Sequence, residues 1–192
     1  MEKQEWSKFK TETKKQLATF VKCSEFGDTA KHVILDAFDK EPEHTADILA
    51  TLRIIGASNN AREIAVAGLL VFLWEYEVNY VLCIDAFCHL LIANGHDLFN
   101  GLRQKYVHGL KDIGIVDVHT KLNFLKEHNF GILSREEDQM LRNKIAHHDF
   151  IIDDSGKVFI NNKVVDVGSR FNELSCFIHR VFETFCHCWD EC

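Results

Sequence analysis

Proline is almost missing from this sequence: Pro42 is its single one. Helix interiors exclude proline, so its scarcity favours a chain that is mostly helix. A surplus of positive charge is missing too. The net charge is −7 with histidine neutral, which argues against a protein whose whole surface coats nucleic acid and leaves room only for a local basic cleft. No long hydrophobic run occurs. The most apolar stretch, Ile64 to Trp74, covers 11 residues and is followed by Glu75, Glu77 and Asp85. A membrane span needs about 20 apolar residues, so this stretch reads as a buried core helix and no membrane association is expected. The opening residues, MEKQEWSKFK, are charged and lack the apolar core of a secretory signal. The seven cysteines are odd in number and irregular in spacing, which fits no disulfide framework and points to reduced thiols in the cytoplasm. There is no phosphate-binding glycine loop, no dinucleotide fingerprint and no His-Glu-x-x-His. Internal repeats and low-complexity tracts are absent as well.

What is present suits one domain, or one domain with an appendage. The chain has 192 residues, 46% of them hydrophobic. A chain of that size buries roughly 70% of its extended surface on folding, so it needs no disulfide or metal staple. Glu2 to Cys23 carries Trp6, Phe9, Leu17, Phe20 and Val21 among lysines and glutamates, the one-sided pattern of a surface helix. Asp28 is placed to cap a helix through Lys40, which Pro42 ends. His44 or Thr45 opens another, with Ile48, Leu49, Leu52 and Ile55 inward. Gly56 to Asn60 is a loop, and it marks the expected boundary between an N-terminal helical appendage, residues 1–58, and a main domain, residues 59–192.

Ala61 to Ala93 is the longest periodic stretch. As one helix it would span about 50 Å, with Asn94 and Gly95 as its stop. Cys88 and His89 lie within it and read as core residues, since adjacent helix positions diverge by about 100°. Asp97 to Ile113 and His119 to His128 are further helices. After residue 149 the period changes: Phe150 to Ile152 and Lys157 to Ile160 flank Asp153-Asp154-Ser155-Gly156, a hairpin signal. Asn161-Asn162-Lys163 is a second turn, and Val164-Val165 extends the small sheet. Ser169 is expected to cap a last helix running to about Trp189, with a wide apolar face. The tail holds Cys186, His187, Cys188 and Cys192 without the paired spacing of zinc ligands. A helix end with incidental thiols is the expectation, and neither metal nor cofactor is implied.

The densest acid–base chemistry lies in Ser134 to Phe150, SREEDQMLRNKIAHHDF. Ser134-Arg-Glu-Glu137 fits a capping box, and Met140, Leu141 and Ile145 supply inward positions. Near the helix end stand Arg142, Asn143, His147 and His148. Asn143 and His147 share a face, whereas Arg142 and His147 point about 140° apart on a regular helix. Both reach one substrate atom only if the helix ends between them, or if two copies face each other across a two-fold axis. Arginine plus histidine without a carboxylate pair suits RNA cleavage by the RNA's own 2′-hydroxyl. Histidine moves the proton and arginine stabilises the phosphorane.

Arg142-Asn143-Lys144-Ile145-Ala146-His147 resembles the signature of the HEPN superfamily: an Arg, often followed by a polar residue, a short spacer, then His. The flanks, Met140-Leu141 before and His148 after, are similar too, as is the placement of the motif after a long core helix. The resemblance spans roughly Ala61 to Trp189. It implies an all-α, HEPN-like helical bundle; the small β-hairpin read from the sequence is an elaboration on that pattern, inserted before the C-terminal helix. It also implies a homodimer whose two motifs meet in one cleft, and a metal-independent endoribonuclease that leaves 2′,3′-cyclic phosphate ends in a toxin–antitoxin or phage-defence setting. By that match Arg142 and His147 are catalytic and Asn143 supports them, while His148 fits the spacing equally well. The partners implied are RNA, a second copy, and an antitoxin or other protein. Phosphate attraction would come from a local patch, with Arg103, Lys105 and Lys111 as candidates. The alternative is a non-catalytic helical module that binds RNA or a protein; there Arg142 and the histidines serve the helix end and its dipole.

Overall fold

The computed structural model describes residues 2–22, 44, 46–96, 113–114 and 116–192. The helix expected over Asp28 to Lys40 with its Pro42 stop, nearly all of the one expected over Asp97 to Ile113, and the patch of Arg103, Lys105 and Lys111 lie outside those residues. What is described is mostly helical with one small antiparallel sheet before the last helix. It falls into two compact units: one from the described parts of 1–39, 81–135 and 179–192, the other from those of 40–80 and 136–178.

The first unit holds α1 (Glu2–Lys22), α4 (Val81–Ala93), α5 (Val118–Glu127), a 3-10 turn (Gly131–Ser134) and the C-terminal half of α7 (Val167–Asp190). Its core is aromatic. Phe87 stands 5.3 Å from Phe9, 5.1 Å from Phe130 and 5.7 Å from Phe185 between ring centroids. Burying rings in offset and edge-on contact is among the larger single contributions a side chain makes to a core. α1 buries Trp6, Phe9, Leu17 and Phe20 as its spacing predicts, but Val21 is exposed. The Arg180 guanidinium stacks over Trp6 at 4.1 Å, a cation–π contact that keeps the charge wet and the ring covered. α4 is buried almost all round: Cys83, Ile84, Ala86, Phe87, Cys88, Leu90 and Leu91 each lie within the core. Burial pushes the Cys88 thiol far up, and His89 donates from Nδ1 to the Asp85 carbonyl at 2.6 Å, so both act as core residues. Lys121, also buried, pairs with Asp85 at 2.6 Å.

α4 ends as its letters suggest. The Gly95 amide donates to the Ile92 carbonyl at 2.9 Å and the His96 amide to Leu91 at 3.0 Å, with Gly95 at φ +85°. This is a Schellman ending, whose left-handed residue favours glycine. Beside it Asn94 Nδ2 donates to the Gln16 backbone carbonyl at 2.8 Å and to Gln16 Oε1 at 2.7 Å. Gln16 Nε2 therefore faces Glu12 Oε1 at 2.9 Å and His96 Nε2 at 3.5 Å.

The second unit holds helical residues 46–56 (α2), α3 (Ala61–Trp74), a π-helical segment (Glu75–Tyr80), α6 (Gln139–Ala146), strands β1 (Ile151–Ile152), β2 (Val158–Ile160) and β3 (Lys163–Val165), and the N-terminal half of α7. In α2, Ile48 is buried while Leu49 is exposed. Asn60 caps α3 by accepting from the Arg62 and Glu63 amides. α3 packs on α6 and β1 and buries Leu69, Val71 and Phe72, yet leaves Ile64, Val66, Leu70 and Trp74 exposed among the described residues. The expectation of a buried core helix over Ile64 to Trp74 therefore holds only in part. The helical run Ala61–Ala93 is long and apolar enough to cross a membrane by length and composition, and half of its most apolar stretch is buried within the protein.

The sheet has the order β1-β2-β3, with Ile152 opposite Val158 and Ile160 opposite Lys163. Asn161 and Asn162 both have positive φ, 51° and 62°, as a two-residue type I′ turn requires. In the other turn Gly156 has φ +80°, and a Cβ there would stand 2.6 Å from the Ala61 carbonyl oxygen. Only glycine lets the hairpin close onto the start of α3. Asp166, not Ser169, caps α7: its Oδ1 accepts the Ser169 amide at 3.0 Å, so the helix begins three residues earlier than expected.

Candidate functional site

α6 is shorter than its sequence suggested. Ser134 does not cap it; the Ser134 hydroxyl donates back to the Gly131 carbonyl at 2.8 Å inside the 3-10 turn. The cap is Asp138, whose Oδ1 accepts the Leu141 amide at 3.1 Å. Asp138 Oδ2 also accepts from Arg170 Nη2 at 3.0 Å, which ties the start of α6 to α7. Burying Leu141 and Ile145, one turn apart, fixes which way the helix faces. Arg142 and Asn143 are then half-buried, and His147 and His148 lie exposed.

The helix ends between the arginine and the histidines. Ala146 is its last residue and His147 is the C-cap, with φ −93° and ψ 7°. The His148 amide donates to Ile145 at 3.0 Å and the Asp149 amide to Lys144 at 2.8 Å, a second Schellman ending. Here the left-handed position is a histidine: His148 has φ +55°. The His148 ring lies 6.1 Å from that of Phe150. Lys144 and Asp149 pair across the same turn.

Arg142 is held at two points. Its Nη1 donates to Asn143 Oδ1 at 2.8 Å, and its Nε donates to Glu77 on the π segment. Sequence reasoning brought Arg142, Asn143 and the histidines together but missed Glu77 and the segment that carries it. Under Glu77 the π segment buries Glu75, Tyr76, Asn79 and Tyr80. Asn79 Nδ2 donates to Glu75 Oε2 at 2.9 Å. Its Oδ1 therefore faces His44 Nδ1 at 3.3 Å, which places the ring proton on Nδ1. Burial, reinforced by Glu137 and Glu77, pushes the Tyr76 phenol up to about 12, with Arg142 pulling the other way. Tyr76 is thus neutral at ordinary pH. The surviving signal for this segment was EYEVNY itself, where two acids and an amide interrupt the most apolar helix in the chain. π-turns gather at functional sites because the extra residue redirects the side chains that follow.

The cysteines of the tail do not converge. Cys188 is buried while Cys186 and Cys192 are exposed, and His187 pairs with Glu191 at 3.2 Å. Among the described residues no group of three or more histidine, cysteine, aspartate or glutamate side chains is arranged to hold a metal ion. The chemistry carried by α6 and its end is a braced guanidinium and two exposed imidazoles. No family model, no curated protein and no solved structure matches this chain.

Proposed function

We propose that the protein is a cytoplasmic, metal-independent endoribonuclease of HEPN type, acting as a homodimer. The observation that carries this reading is the Arg142 guanidinium held by Asn143 and Glu77 on the helix that ends in the exposed His147 and His148. His147, the C-cap, still makes the helical amide bond to the Asn143 carbonyl, so one copy aims Arg142 and His147 apart and the reading needs two copies facing each other across a two-fold axis. In the reaction, one His147 takes the proton from the RNA 2′-hydroxyl as its oxygen attacks phosphorus. The 5′-oxygen leaves and takes a proton from the second copy's His147 in its protonated, imidazolium form, giving a 2′,3′-cyclic phosphate. Arg142 holds the phosphorane oxygens by forked hydrogen bonds, and Asn143 orients Arg142. His147 is preferred over His148 because the His148 ring lies by Phe150 and its backbone serves the helix ending. A toxin–antitoxin or phage-defence role, with an antitoxin as partner, belongs to the same reading.

The test is incubation of purified protein with single-stranded RNA in EDTA. Cleavage with cyclic phosphate ends is expected, falling about 100-fold or more in Arg142→Ala and His147→Ala variants. No cleavage by the wild type, or equal losses in His147→Ala and His148→Ala, would sink it. A second reading is a non-catalytic module that binds RNA or a protein. The ion pair of Arg142 with Glu77 favours it, because a carboxylate beside the guanidinium opposes phosphate. That reading predicts altered binding in Arg142→Ala with no turnover in any variant.

A further inference from the structure

We infer that Glu77 is a positioning residue for Arg142, an inference that rests on the ribonuclease reading. An arginine side chain in water samples many rotamers, and phosphorane stabilisation needs its guanidinium fixed before the substrate arrives. Arg142 has five N–H donors. Glu77 takes the one on Nε and Asn143 takes one on Nη1. Two anchors at different nitrogens set the guanidinium plane as well as its position. They leave one Nη1 hydrogen and both on Nη2 as donors for phosphate oxygens. Glu77 thus braces the side chain at Nε and leaves those three donors open.

The brace is itself held in place. Glu77 stands on the π segment, whose neighbours Glu75, Tyr76, Asn79 and Tyr80 are buried. The Glu75–Asn79 hydrogen bond, with Asn79 facing His44, ties that backbone from beneath. Tyr76 and Tyr80 pack ring against ring at 5.1 Å. A carboxylate on a loose loop could follow the guanidinium and pair with it in any orientation. One on a clamped turn dictates the orientation.

Three proteins separate the possibilities: wild type, Glu77→Ala and Glu77→Gln. Each is assayed on single-stranded RNA in EDTA, and each is examined by nitrogen-15 NMR for the Arg142 Nε–H. Thermal melts report whether each variant is folded. Glu77→Ala should lower kcat by about 10- to 100-fold with KM for RNA within about twofold, the signature of a misaimed group rather than a lost binding contact. Glu77→Gln keeps an oxygen acceptor at the same place and should recover most of that loss. The Nε–H should exchange slowly in wild type and Glu77→Gln, and fast in Glu77→Ala. Wild-type turnover that depends on Arg142 but is unchanged in Glu77→Ala would overturn the role of Glu77 alone. So would a glutamine variant as impaired as the alanine one, or a fast-exchanging Nε–H in the wild type. A wild type that cleaves no RNA overturns the ribonuclease reading instead, while the exchange rates still decide whether Glu77 holds Arg142.

Discussion

His148 holds the left-handed position of a Schellman ending, at φ +55°, where a side chain costs about 1–2 kcal/mol relative to glycine. The same ending at Gly95 uses the favoured residue. Strain at one helix end and not the other draws attention to the end that carries Arg142 and His147. His148→Gly should relieve it. Against the relief stands the greater freedom glycine gives the unfolded chain, so the expected gain is about 1 kcal/mol in urea unfolding, or roughly 2–4 °C in Tm for a chain of this size. A fall in stability would mean that the His148 ring, near Phe150, contributes more packing than its backbone loses. The same variant sorts the two histidines. If His147 is the base, His148→Gly still cleaves RNA while His147→Ala does not. Sequence alone could not make this distinction, because both histidines fit the spacing after Arg142 and only the backbone separates them.

At the scale of elements, the seam of α1 with the end of α4 is written in hydrogen bonds of fixed sense. The Gln16 carbonyl can only accept, so Asn94 Nδ2 must face it. Gln16 Oε1 then accepts from Asn94, and Gln16 Nε2 donates to Glu12 and toward His96 Nε2. That nitrogen must be bare, so the network needs neutral His96. Burial lowers the His96 imidazole from its ordinary 6.5, with His128 and Lys15 lowering it further and Glu12 opposing. A histidine with a depressed folded pKa contributes stability that is complete above the unfolded value. It is lost as pH falls from there through the folded value, because the unfolded chain binds the proton first. Tm should therefore drop between pH 7.5 and 5.5 more steeply in the wild type than in His96→Gln. Parallel curves for the two proteins would show that His96 is indifferent to its charge. Sequence gave a mixed account of such elements. The turns at Asp153 to Gly156 and at Asn161-Asn162, and the stop at Asn94-Gly95, were legible because their chemistry is local. The starts of α6 and α7 were displaced because two residues competed for each cap, and Asp138 and Asp166 won over Ser134 and Ser169. The contact between Arg142 and Glu77 joins residues 65 apart, and no periodicity reports such a pair. The π segment adds one residue to a turn whose apolar pattern looks the same without it. The exposed residues of α3 were hidden for the opposite reason: a helix apolar on every side does not say which side is covered.

For the molecule as a whole, the acidic balance and the proposed chemistry pull in different directions. A net charge of −7 repels RNA at long range, and one copy offers a single Arg142 that already pairs with Glu77. A shared cleft changes both terms, since two copies of the α6 end would supply two guanidiniums to one phosphate, and two imidazoles to serve as base and acid. This makes a prediction about mixtures. Arg142→Ala and His147→Ala proteins, each inactive alone, are unfolded together, refolded and assayed. A composite cleft gives mixed dimers with one arginine and one histidine from different copies, which regain a base beside a guanidinium but still lack the second imidazole, so activity should rise about tenfold above either parent and stay well below the wild type. Specific activity should also fall on dilution as dimers dissociate by mass action, and light scattering should report the dimer over the same concentrations. If each chain carries a complete site of its own, mixing restores nothing and activity per chain is independent of concentration. A stable dimer whose mixtures stay inactive would place the two α6 ends in separate clefts, and Arg142 and His147 would then have to meet within one chain, across the turn that His147 and His148 form.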